Sequence, residues 1–152
     1  MMVMLRSLLL LSLFSMGNAA ARRCTRQWSR FGSRCFRYFS VPVNWVTAER
    51  NCQLLGGNLV SVQNGMENDF LLSLIPNSER FFIGGYDGED EENWFWSEGS
   101  SFGYTNWCSG EPNNMNTEHC LEINWTSDRC WNNLPCSTEQ GYICAKNLDG
   151  CS

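Results

Sequence analysis

Histidine occurs once in the 152 residues, at His119. No G-x-S-x-G elbow, no H-E-x-x-H pair and no glycine-rich phosphate loop accompanies it, so the usual signatures of hydrolases, zinc proteases and nucleotide-binding enzymes are missing. The nine cysteines include no C-x-x-C pair, which argues against a zinc site. Basic residues number 11 against 16 acids, for a net charge of −5, and no dense Lys/Arg stripe offers a nucleic acid its phosphate contacts. Long apolar runs are also lacking. The one candidate, Leu8 to Phe14, is shorter than the roughly 20 residues that a spanning helix needs.

That run has another use. Arg6 precedes it, and the small residues Gly17, Asn18, Ala19, Ala20 and Ala21 follow it. This is the pattern of a secretory signal peptide over residues 1–21, with cleavage after Ala19, Ala20 or Ala21. About 130 residues then remain, the size of one domain. All nine cysteines lie in that part: Cys24, Cys35, Cys52, Cys108, Cys120, Cys130, Cys136, Cys144 and Cys151. Such density in a secreted chain reads as a disulfide framework, and the odd count leaves one thiol without an internal partner.

Two helices are predicted. Trp45, Ala48, Cys52 and Leu55 recur at helical spacing, with Asn44 as cap and Gly56-Gly57 as stop. Asn64 caps a second helix with acids Glu67 and Asp69 in its first turn, a core face of Met66, Phe70, Leu71 and Leu74, and Pro76 beyond it. Strands are predicted over 35–40, 58–62, 81–86, 93–97, 120–125 and 141–146, where aromatic and branched residues gather. The stretch between Ser97 and Cys120 is too long for an ordinary connection. Trp107, Cys108 and Cys120 predict that it is pinned.

Chemistry concentrates there. Glu111-Pro112-Asn113 is followed by Glu118 and then by Trp131-Asn132-Asn133. Carboxylate and amide oxygens are what calcium requires, several of them at about 2.3–2.6 Å. A cis bond at Pro112, the one residue type that makes cis cheap, would turn Glu111 and Asn113 toward the same ion. Read as paired carboxylates the same residues suggest a hydrolase, but the surrounding amides fit calcium better, and no enzymatic activity is predicted. Asn124-Trp125-Thr126 is an acceptor pattern for N-glycosylation. Strand alternation with Leu121 and Ile123 predicts that Asn124 points outward.

Several spaced motifs occur in one order: Trp28, Cys35-Phe36-Arg37-Tyr38, Trp45 to Cys52, Phe82-Ile83-Gly84-Gly85, Trp94-Phe95-Trp96, Asn106-Trp107, Glu111-Pro112-Asn113, Cys120, Trp131-Asn132-Asn133, Cys136 and Cys144. Together they resemble the C-type lectin-like domain over residues 24–146, and most closely the secreted fish lectins and type II fish antifreeze proteins. The resemblance implies an α+β domain over 22–146, with two helices, short antiparallel sheets and a long disulfide-pinned loop. A tail of residues 147–152 carries Cys151. The implied disulfides are Cys24–Cys35, Cys52–Cys144, Cys108–Cys130 and Cys120–Cys136. Cys151 is then left for a second chain, as a disulfide-linked homodimer.

The resemblance further implies that Glu111, Asn113, Glu118, Asn132 and Asn133 hold Ca2+ and a mannose-type glycan, in a secreted lectin of innate recognition. Two departures bear on this. Asn133 stands where the family usually has Asp, and Asn114 and His119 replace acids of the family's auxiliary calcium site, of which Asp87 and Glu91 remain. The alternatives are a calcium-independent lactose- or galactose-binding mucus lectin and an ice-binding protein on the same scaffold.

Overall fold

The computed structural model describes residues 22–148 apart from Glu89, Glu91, Asn114 and Asn116. The expected signal peptide, Glu91, Asn114 and Cys151 with most of its tail therefore lie outside the described residues. The elements run β1 (Ser29–Phe31), β2 (Arg34–Val43), α1 (Trp45–Leu54), β3 (Asn58–Leu59), α2 (Gly65–Leu74), β4 (Phe81–Asp87), β5 (Trp94–Trp96), β6 (Cys120–Trp125), β7 (Cys130–Leu134) and β8 (Gln140–Asn147). Among the described residues no helix is long and apolar enough to cross a membrane.

Both helices start where a side chain answers an orphan backbone donor. Asn44 Oδ1 accepts from the Thr47 N–H at 2.9 Å, and Asn64 Oδ1 accepts from the Glu67 N–H at 2.9 Å. At the end of α1 the N–H groups of Gly56 and Gly57 fold back onto Gln53 and Cys52. Gly56 does so at φ +83°, a conformation that suits glycine. The buried face of α2 differs from the expected one. Leu71 is fully buried, while Met66 stays 70% exposed, because the first turn of α2 buries Glu67 and Asn68 instead. Glu67 is buried because Arg34 meets it at 3.1 Å and the Gln63 N–H donates to it.

The strands form one sheet in the order β1-β2-β8-β4-β6-β7, with β3 on β8 and β5 on β4. The sheet is mixed rather than antiparallel throughout, since β4 pairs with β8 in parallel at Phe81↔Gly141 and Phe82↔Tyr142. A parallel pair needs a long crossover, and the chain between β4 and β8 supplies it. The predicted strand over 58–62 is regular only at Asn58–Leu59. Beyond it, Val60 bonds alternately to β8 and β4 through Ile143 and Gly84. Two strands, β1 and β7, are additional to the predicted set.

Phe36, Leu71, Phe81, Ile83, Trp96, Leu121, Ile123, Trp131 and Ile143 form the main core. A buried tryptophan removes about 150–250 Å² from water, a gross gain of roughly 4–6 kcal/mol before ordering costs. Trp96 and Trp131 meet edge to face at 5.7 Å, and Phe102, Tyr104 and Trp107 close around Trp131. The long segment after Ser97 is therefore held by its aromatics. It is also held by backbone bonds, from Cys108 N–H to Trp131 O at 2.9 Å and from Trp131 N–H to Asn106 O at 2.8 Å.

Four disulfides join Cys24–Cys35, Cys52–Cys144, Cys108–Cys130 and Cys120–Cys136, with Cα–Cα distances of 5.6, 5.4, 5.0 and 5.1 Å. Cys52–Cys144 closes the domain by tying α1 to β8. The other two late bridges clamp the long loop to the β6–β7 hairpin.

Asn124 departs from the sequence expectation. It sits at φ +73°, where the β6–β7 register shifts, so strand alternation breaks and its side chain turns inward to 4% exposure. Its Nδ2 donates to the carbonyls of Pro76 (3.2 Å), Asn77 (3.1 Å) and Glu79 (2.6 Å). Its Oδ1 accepts from Arg129 Nε at 2.7 Å. An amide so engaged has no hydrogen free for a glycan, so the acceptor pattern is a structural pin in the folded chain.

Candidate functional site

The Glu111–Pro112 bond is cis. On either side of it, Glu111 and Asn113 bond to each other. The Asn113 backbone N–H donates to Glu111 Oε2 at 3.0 Å, and Asn113 Nδ2 donates to Glu111 Oε1 at 3.1 Å. The same Asn113 N–H reaches Asn133 Oδ1 on β7 at 3.2 Å. Asn133 is fully buried, and its Nδ2 donates to the Glu118 carbonyl at 3.0 Å. Glu111, Asn113, Glu118 and Asn133 are thus brought together from the loop and from β7, across the Cys120–Cys136 bridge.

Glu118 carries the sharpest signal in this group. Its Oε2 is buried with no hydrogen-bond partner among the described residues. Burial, and then the neighbouring charge of Glu111, push its carboxyl pKa above the ordinary value. A buried, unpaired carboxylate oxygen beside a second carboxylate is costly unless a cation answers it. The donor set of two carboxylates and two amide oxygens is hard and oxygen-only, as calcium prefers. The residues present therefore fit the ion.

Asn132 is placed differently from the other four. Its Nδ2 donates at 2.8 Å to Oε1 of Glu122, the residue opposite it on β6. Glu122 is an acid buried at 0% in the middle of a strand, and sequence reasoning passed over it. The signal was present, since an acid flanked by Leu121 and Ile123 sits in an apolar run. Burial pushes its pKa up, opposed by the Asn132 hydrogen bond, the charge of Arg80 and a Gln140 hydrogen bond, while the Glu118 charge adds to the rise.

At the auxiliary position the described residues, Asp87 and His119, pair with each other. His119 Nδ1 lies 2.9 Å from Asp87 Oδ1, and the Asp87 N–H donates to the His119 carbonyl. Asp87 is 3% exposed; the ring meets its Oδ1, while its Oδ2, like Glu118 Oε2, has no hydrogen-bond partner among the described residues. Among the described residues no group of three or more His, Cys, Asp or Glu gathers in a metal-binding arrangement; the Glu111 and Glu118 site offers two acids and relies on amide oxygens for the rest.

Comparison with known proteins agrees with this architecture. The family model of the lectin C-type domain matches residues 41–146. The galactose-specific lectin nattectin of Thalassophryne nattereri is 40% identical over 134 residues, covering 85% of this chain and 84% of that protein. Ladderlectin of Oncorhynchus mykiss is 42% identical over 133 residues, covering 84% and 70%. Among solved structures, the herring type II antifreeze protein superposes with a TM-score of 0.79 at 33% identity, covering 83% of this chain and 100% of that one. These are names of binding proteins rather than of catalysts. A family model spanning most of the chain, and relatives of this identity and coverage, carry one conclusion: the chain belongs to the C-type lectin domain family.

Proposed function

We propose that the chain is a secreted, calcium-dependent lectin whose one sugar site is formed by Glu111, Asn113, Glu118, Asn132 and Asn133. The observation that carries the reading is the buried, unpartnered Oε2 of Glu118 within a converging set of carboxylate and amide oxygens. Calcium, when bound, supplies coordination positions at which two neighbouring sugar hydroxyls replace water. The remaining work belongs to the side chains. Glu111, acceptor-only when ionised, accepts a hydrogen bond from a hydroxyl, and the Asn113 amide donates to the same hydroxyl's oxygen.

Calcium-free, those two groups satisfy each other through the 3.1 Å bond from Asn113 Nδ2 to Glu111 Oε1. A vicinal diol inserted there exchanges one hydrogen bond for two, so binding need not leave either group unpaired. The order acceptor then donor suits mannose, glucose, fucose and N-acetylglucosamine. Microbial surface glycans of this kind are the natural targets of a secreted lectin. The tail thiol of Cys151 joins two such chains, and paired sites raise avidity for a glycan-covered surface. Non-reducing electrophoresis that shows only monomer would remove that part.

Two other readings each have an observation behind them. Nattectin is named galactose-specific at 40% identity, which favours a galactose site, with or without calcium. The antifreeze likeness favours an ice-binding surface. One experiment separates all three: a glycan array with and without chelator, run on wild type and on Glu111→Gln/Asn113→Asp, beside a thermal-hysteresis measurement. The proposal expects mannose-type binding lost in chelator, a shift toward galactose in the double variant, and no hysteresis. Chelator-resistant galactose binding, or hysteresis without glycan binding, would replace it.

A further inference from the structure

We infer that Glu122 is a positioning residue of the sugar site, holding the Asn132 amide nitrogen inward so that its carbonyl oxygen faces the cation. The inference rests on the calcium-lectin reading above and assigns a role to a residue outside its ligand set. Glu122 and Asn132 are direct cross-strand partners on β6 and β7. Their side chains meet through the 2.8 Å bond from Asn132 Nδ2 to Glu122 Oε1. The nitrogen and oxygen of an amide lie on opposite sides of one carbon, so fixing the nitrogen against Glu122 directs Oδ1 away from it. An ionised carboxylate offers no donor, and the flipped amide would set two oxygens against each other.

The acid is itself held. Arg80 Nη1 lies 3.6 Å from Glu122 Oε1, and the Arg80 guanidinium stacks 4.7 Å over the Trp125 ring. Asn132 is 7% exposed and Glu122 is 0% exposed, so water does not compete for the bond. Burying the carboxylate is costly, and polar groups answer it: Asn132, the Arg80 charge and a side-chain hydrogen bond with Gln140.

The test compares Glu122→Met, of similar length but without an acceptor, with Glu122→Gln, which keeps one. Calcium affinity by calorimetry should fall about 10–100-fold in Glu122→Met, the usual cost of losing a residue that orients a metal ligand. It should fall less in Glu122→Gln, which keeps an acceptor for Asn132 Nδ2 but adds a donor that permits the flipped amide. Thermal unfolding in chelator verifies that both variants fold. In calcium-free protein, the Asn132 side-chain amide should show slow hydrogen exchange in wild type and Glu122→Gln, and fast exchange in Glu122→Met. Wild-type calcium affinity in a folded Glu122→Met overturns the inference alone. Equal losses in both variants overturn the acceptor argument. A wild type that binds no calcium overturns the lectin reading, and the inference with it.

Discussion

Replacing Asn133 by Asp should tighten calcium while weakening the calcium-free fold. The structure sets both directions. Asn133 Nδ2 donates to the Glu118 carbonyl at 3.0 Å in a fully buried position. An Asp there turns that hydrogen bond into an oxygen–oxygen contact and buries a third carboxylate beside Glu111 and Glu118. The lost bond and unsatisfied acceptor cost about 1–3 kcal/mol, or roughly 4–12 °C in Tm for a domain of this size. Calcium relieves that cost and gains an anionic ligand in place of a dipole. Two unit charges 4 Å apart attract by about 4 kcal/mol at an effective dielectric of 20, and the ion carries two. Allowing generously for desolvation, at least ~1.4 kcal/mol of tightening remains, so Kd should fall tenfold or more. Calorimetric titration with calcium, and thermal unfolding with and without it, read the two effects separately. Equal or weaker calcium affinity in Asn133→Asp would refute Asn133 as a ligand. An unchanged calcium-free Tm would refute the role of its bond to Glu118.

Asn124→Ala should destabilise the fold by about 2–4 kcal/mol, since the Asn124 amide serves three carbonyls and Arg129, at about 1 kcal/mol per bond. Denaturant unfolding measures the loss, and peptide mapping of the secreted wild type should find Asn124 unmodified. Removing Cys52–Cys144, with 92 residues between its ends, should cost about 4–5 kcal/mol. Removing Cys120–Cys136, separated by 16, should cost about 3 kcal/mol and abolish sugar binding as well, because it clamps Glu118 to β7. Equal sugar binding in both disulfide variants would contradict that division. Calcium binding should also weaken on mild acidification. The raised pKa of Glu118 lets the calcium-free site hold a proton at a pH where an ordinary glutamate has lost it, and calcium must displace that proton. Calorimetry at stepwise lower pH should show falling affinity with increasing proton release, and a pH-independent affinity would exclude Glu118 from the site.

Local signals carried much of the fold. Asn44 and Asn64 read as caps because a short side-chain acceptor before an apolar period has few other uses, and both accept as expected. The loop aromatics and cysteines told correctly that the long segment is pinned. What failed was whatever depends on tertiary context. Met66 read as core by period, but the salt bridge between Arg34 and Glu67 turns that face of α2 elsewhere. Asn124 read as outward by alternation, but a positive φ breaks the alternation at that residue. In the candidate site, Glu111, Asn113, Glu118 and Asn133 were legible as an oxygen-rich pattern. Glu122 was not, because a buried acid in a strand declares itself only through its cross-strand partner. The resemblance placed His119 and Asp87 at one site although 32 residues separate them, but their direct contact shows only in the fold.

The central claim is tested most directly on immobilised mannose. The purified protein, loaded in calcium, should be retained on mannose, pass through a parallel galactose column, and elute from mannose when a chelator is added. Retention that survives the chelator, or retention on galactose alone, would contradict the account.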